Sequence, residues 1–162
     1  MQNAKDTFYI TLRNRLTQVN PERTMLLRSV TRPGILVEEA ESPMALPVLD
    51  AFTLRWTNLT MLPQLPLPLA QMSCEIYYST AGTQLNSGLD RGRLLEAMDA
   101  ELQQMLSPQS APKMNYTTTP ATGMLTSIFW SEPEFQPAVS VRDQISRVAL
   151  LTVWNWQEAG ER

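Results

Sequence analysis

The chain contains no histidine. That removes the usual general base, the base of a serine triad and the imidazole metal ligand. Zinc would have to rest on one thiolate and carboxylates, a poor donor set. Cys74 is the single cysteine, so no intrachain disulfide can form, which fits a reducing compartment. Charge is also scarce: charged residues make up 18% of the chain, against about 25% in a typical soluble protein. The net charge of −3 lacks the basic footprint that neutralises phosphates, so no nucleic-acid partner is expected. The six glycines build no phosphate cradle. Gly88-Leu89-Asp90-Arg91-Gly92-Arg93 has neither dinucleotide nor P-loop spacing, and Asp90 would repel an anion at a helix start. No apolar run approaches the roughly 20 residues of a membrane span. The opening M-Q-N-A-K-D-T has no apolar core of signal-peptide length. The expectation is a cytoplasmic, non-catalytic protein with no cofactor, no metal and no membrane partner.

What is present is a core and many prolines. With 162 residues, 43% of them hydrophobic, residues 1–162 suffice for one domain. Twelve prolines exceed the norm of about 5%. Low charge with high proline implies rigid, poorly solvated loops that a partner can cover. Charge is uneven: residues 1–40 hold six basic and four acidic side chains, the remainder seven and twelve. Arg13, Arg15, Arg23, Arg28 and Arg32 could form a modest basic face against an acidic face on another copy.

The stretch Ile145 to Trp156, I-S-R-V-A-L-L-T-V-W-N-W, organises the reading. It is rich in β-branched and aromatic residues, and both parities are largely apolar between Val148 and Trp154. The pattern predicts a central strand covered on both faces. At the other end, Phe8, Leu12, Leu16 and Val19 recur at helical spacing after an Asp6 or Thr7 cap, and Asn20-Pro21 stops this short helix. Thr24 to Thr31 and Ile35 to Glu39 read as a hairpin turning at Arg32-Pro33-Gly34. Ala51 to Met61 alternates as a strand with one wet face, and a bulge at Asn58 would return Leu59 and Met61 to the buried face. Gln71 to Ser79 puts Met72, Cys74, Ile76 and Tyr78 on one side. Leu89 to Leu106 reads as the longest helix, striped by Leu94/Leu95, Met98, Leu102 and Met105. Met124 to Trp130 is a further strand.

Two stretches resist regular structure. Pro63 to Leu69, P-Q-L-P-L-P-L, cannot be a helix or an interior strand and should run extended. Its leucines need cover. Residues 107–123 read as a polar loop of 17 residues, long enough to suggest a functional or mobile segment. Chemistry is thin elsewhere. Cys74, on one parity with Met72 and Ile76, reads as a buried small hydrophobe rather than a nucleophile. Glu132 and Glu134 flank a proline and read as solvated. Trp56, Trp130, Trp154 and Trp156 read as core rather than a stacking platform, although Trp156 at a strand end could be exposed.

The fold class that follows is α+β, a mixed and mostly antiparallel sheet of about five to six strands with two helices packed on one side. An N-terminal helix leads a β-meander, a helix crosses over, and two strands finish the sheet. This layout resembles the tail-terminator and tail-completion proteins of long-tailed bacteriophages and related prophage proteins. The resemblance implies a ring of identical subunits, commonly six, that caps the tail tube and receives the head connector, assembled in the host cytoplasm. Its partners would be further copies, tail-tube proteins and head-connector proteins. The contacts fall to the two irregular stretches and the basic scatter: Pro63, Leu65, Pro66, Leu67, Pro68, Leu69, Arg13, Arg15, Met114 and Tyr116. The competing expectation is a non-catalytic ligand-binding module with an apolar pocket lined by Met72, Ile76, Met98, Trp130 and Trp154.

Overall fold

Helix α1 runs from Gln2 to Val19. The structure, a computed structural model, describes residues 1–38, 48–63 and 66–161. Ala4, Phe8, Leu12 and Leu16 recur at three- to four-residue spacing and are fully buried, so one stripe of α1 faces the core. The helix is capped at Met1 rather than at Asp6 or Thr7. Those two side chains are used inside it instead: Thr7 donates to the Asn3 carbonyl at 2.6 Å, and Asp6 accepts from Gln2 at 2.8 Å. The stop at Asn20-Pro21 holds. Helix α2 spans Arg91–Met105, and at 15 residues it is shorter than the 18 of α1, reversing the expected ranking. Its stripe of Leu95, Met98, Leu102 and Met105 is buried as expected.

Strands β1 (Thr24–Leu27) and β2 (Val30–Pro33) form a separate two-stranded antiparallel sheet. The hairpin turns at Arg28-Ser29, not at Pro33-Gly34. Both turn residues have positive φ, 49° and 65°, which matches the right-handed twist of the flanking strands. Gly34 serves a close approach instead. Its N–H donates to the Arg23 carbonyl at 2.8 Å, and a Cβ there would lie 3.2 Å from the same oxygen. The chain then leaves the hairpin as β3 (Ile35–Val37), parallel to β4 (Phe52–Leu62). Glu39 and the apolar approach over 44–47 lie outside the described residues.

Among the described residues the main sheet has eight strands rather than five or six: β3 and β4, then β5 (Leu69–Thr80), β6 (Ser110–Asn115), β7 (Thr122–Trp130), β8 (Glu134–Phe135), β9 (Val139–Val141) and β10 (Gln144–Trp156). The order is β3-β4-β5-β10-β7-β6, with β8 and β9 also paired to β10. Apart from β3 beside β4, the pairs are antiparallel. The register slips between Trp56 and Asn58, where the bulge was expected. Leu59 and Met61 then stand opposite Met72 and Ala70, but they are 46% and 39% exposed, so the slip does not return them to the buried face as expected.

β10 is the centre. It pairs with β5 from Ile145↔Thr80 to Trp156↔Leu69. On its other side the chain returns in three short pieces, β7, β8 and β9. Pro133 and Pro137 stand in the two gaps, because proline has no N–H to give to a ladder. The register slips by one residue across each gap. At the first gap the Ser131 hydroxyl accepts from the Thr152 N–H at 3.0 Å, and the Ser131 N–H donates to the Thr152 carbonyl at 2.9 Å.

The 107–123 segment is not a loop throughout, since β6 occupies its middle and forms the sheet edge. Its prolines hid it. Pro112 is tolerated because an edge strand has one unpaired side, and the register slips between Pro112 and Met114. Side chains of α1 blunt this edge. Thr7 Oγ1 accepts from the Met114 N–H at 3.0 Å, and the Arg15 guanidinium donates to the Ser110 carbonyl at 3.1 Å.

Both helices pack on one face. A single cluster holds Phe8, Leu12 and Leu16 of α1, Leu95, Met98 and Leu102 of α2, and one parity of the sheet: Leu54, Ile76, Cys74, Ala149, Leu151 and Val153. The opposite parity of β10, Val148, Leu150, Thr152, Trp154 and Trp156, is only half-buried. The expectation that β10 is covered on both faces is therefore corrected: the helices cover one, and within the described chain the other stays open.

Candidate interaction surface

The open face follows from the registers. Tyr77 lies opposite Val148, Glu75 opposite Leu150, Ser73 opposite Thr152 and Gln71 opposite Trp154. Residues directly opposite share a face. Trp154 also pairs with Phe129 and stacks on it at 5.6 Å. Val139 and Val141 stand opposite Ser146 and Gln144, so they belong to this face, and they are 56% and 62% exposed. The result is a sheet face of mixed apolar and polar residues with, among the described residues, no helix over it. A groove of about 480 Å³ crosses it, lined by Ser73, Glu75, Ser131, Glu132, Glu134, Leu150 and Thr152. A second groove of about 600 Å³ lies under the end of α2 and shares Glu132. Among the described residues, no group of three His, Cys, Asp or Glu side chains is placed to hold a metal, and no helix is long and apolar enough to cross a membrane.

The β1–β2 hairpin is the second exposed feature. Met25 packs inward against Leu36 and Ala51, and Arg32 reaches the Tyr9 hydroxyl of α1 at 3.4 Å. Beyond these the hairpin projects. Leu26 is 71% exposed on one of its faces, and Val30 is 61% exposed on the other.

The residues assigned to contacts from the sequence fall in three places. Pro63, Pro66 and Pro68 are exposed at the tip joining β4 to β5, Leu67 is half-buried, and Leu69 is buried at the start of β5. Leu65 lies outside the described residues. Arg13 lies over the Tyr9 ring at 5.5 Å. Arg15 is engaged internally: it donates to the carbonyls of Met105 (2.9 Å), Pro108 (2.8 Å) and Ser110, and lies over the Trp130 ring at 5.4 Å. It ties the end of α2 to the sheet edge. Met114 and Tyr116 are half-buried beside α1, and burial raises the Tyr116 pKa. The five residues expected to line a pocket do not surround one cavity. Met72, Ile76, Met98 and Trp130 are packed in the core, and Trp154 stands on the opposite face. Burial pushes the Cys74 thiol far up, as a small core hydrophobe requires.

Three polar clusters escaped sequence reasoning. Lys113 on β6 is fully buried. Its ammonium donates to Asn155 Oδ1 (2.9 Å), the Trp156 carbonyl (2.6 Å) and Glu161 (2.7 Å), with Glu158 at 3.4 Å. Asp99 of α2 meets the Tyr78 hydroxyl and Arg147, fastening that helix to β5 and β10. Burial, then the Asp99 bond, raise the Tyr78 pKa. Glu101 of α2 is clamped by Arg23 and by Asn20 (2.9 Å) at the end of α1. Asp99 and Glu101 were recognisable only as residues off the α2 stripe.

Comparison with protein-family models and with curated proteins found no match to this chain.

Proposed function

We propose that this chain is a ring-forming structural subunit of a phage-type tail, a terminator that closes the tail tube and receives the head connector. The observation that carries this reading is the open sheet face, where Tyr77, Phe129, Val148, Leu150 and Trp154 are half-buried and Val139 and Val141 exposed. Apolar side chains left open on a sheet face, here interleaved with Glu75, Ser73 and Thr152, mark a protein–protein contact surface. The leading helix, the crossover helix and the last central strand are shared with the layout that suggested the terminator family, with five strands rather than two after α2. The work of such a subunit is steric: a closed ring removes the free end on which further tube subunits add. Its partners are further copies of itself, the tube protein and the connector.

The test is electron microscopy of tubes assembled from the tail-tube subunits of the same genome, with and without this chain. The proposal expects rings at tube ends and arrested lengthening. Tubes of unchanged length with bare ends would overturn it.

A further inference from the structure

The open sheet face and the projecting hairpin differ in shape, charge and position. The hairpin packs against α1 and near β3, at one edge of the sheet. The groove opens on the face away from the helices, around β10 and β8. Two unlike patches on different sides of one molecule suit a head-to-tail contact, which closes a ring where the rotation between copies closes.

The charges match across that contact. Residues 24–33, T-M-L-L-R-S-V-T-R-P, contain two arginines and no carboxylate. Arg28 is exposed at the tip of the turn. Its φ of 49° is a conformation that asparagine or glycine adopts at lower cost. The groove carries Glu75, Glu132 and Glu134. Glu75 stands opposite Arg55, whereas Glu132 and Glu134 are exposed and have no basic partner among the described residues. Beside the carboxylates, Leu150, with Val148 and the valines of β9 on the same face, offers an apolar floor. The hairpin brings Leu26 on one face and Val30 on the other. A two-stranded ribbon is marginal alone in water, and its Leu26 face is exposed, so seating it on a surface removes that apolar area from water.

We infer that the β1–β2 hairpin is an arm that docks in the acidic groove of a second copy of this chain, with Arg28 between Glu132 and Glu134 and with Leu26 against the open sheet face. The inference rests on the ring reading and names its contact.

The test compares the full chain with Arg28→Glu, Glu134→Arg and the double variant by sedimentation velocity over a range of concentration, with urea unfolding as a check that each is folded. Each single reversal is expected to raise the concentration needed for assembly by about 10- to 100-fold, and the double variant to recover most of the loss. Single variants that assemble like the parent overturn the arm contact while leaving the ring reading intact. A loss with Glu134→Arg but not with Arg28→Glu also overturns it, because the groove then takes another part of the neighbour. Failure of the double variant to recover has the same meaning. A parent chain that never assembles overturns both the contact and the ring.

Discussion

Lys113 is where a single residue matters most. A fully buried ammonium must have its donors used and its charge matched. Asn155, the Trp156 carbonyl, Glu158 and Glu161 do both, so the segment after β10 is latched onto β6 and β7. Lys113→Ala leaves two carboxylates without their cation, and a loss of about 3–5 kcal/mol in urea unfolding is expected. Arg55→Ala, which breaks the exposed pair with Glu38, should cost less than about 1 kcal/mol. The same latch gives a pH dependence. Desolvation pushes the Glu158 pKa up, but bonds from the Thr126 hydroxyl and the Leu125 and Thr126 N–H groups, with Lys113 nearby, outweigh it and lower the pKa to about 2. A carboxylate lowered on folding stabilises at neutral pH, and that stability is lost as pH falls from about 4.5 towards 2. Glu158→Gln should flatten the fall in urea midpoint over that window. None of this was legible in the sequence. P-K-M-N sits in a proline- and threonine-rich stretch, and lysine there reads as solvated. Its anion partners lie more than 40 residues away in what read as a polar tail.

At the scale of elements, legibility followed periodicity. α1, α2, β5 and β10 carry long unambiguous patterns, and the structure has them within a few residues of the expected limits. The bulge at Asn58 was visible because a break in alternation can be repaired in only a few ways. Prolines misled twice. Pro33-Gly34 carries the strongest turn chemistry near the first hairpin, yet the turn forms at Arg28-Ser29, whose residue types give no warning of left-handed φ. Pro108, Pro112 and Pro120 concealed β6, because an edge strand tolerates what a central strand excludes. The misplaced turn has a measurable consequence. Ser29 has φ of 65°, and glycine adopts that conformation without the steric cost of a Cβ. Ser29→Gly should raise stability by about 0.5–1 kcal/mol in urea unfolding and, since Arg28 is untouched, leave assembly unchanged. A destabilised variant would mean that the Ser29 side chain contributes to the turn.

At the scale of the molecule, the helices explain one face of the sheet and leave the other. The sequence pointed to a central strand with two apolar faces, and β10 has them, but only one is covered among the described residues. That mismatch was not visible beforehand, because periodicity reports which positions are apolar and not which element supplies the cover. The contact residues chosen from the sequence were drawn from irregular stretches and scattered arginines. The structure places Arg15 on internal carbonyls, Met114 beside α1 and Leu69 at a strand start. It turns attention to the hairpin tip and the groove, both built from residues that read as ordinary strand or loop.

The central claim is that unlike surfaces of identical copies meet and close. Absolute mass by light scattering behind a sizing column, across a range of concentration and salt, tests it most directly. The account predicts a rise from 18.3 kDa to one discrete ring mass, commonly six copies in such rings, with assembly weakened by salt as charged surfaces separate. A strict monomer at every concentration and salt, or an open-ended ladder of masses with no closed species, would contradict it.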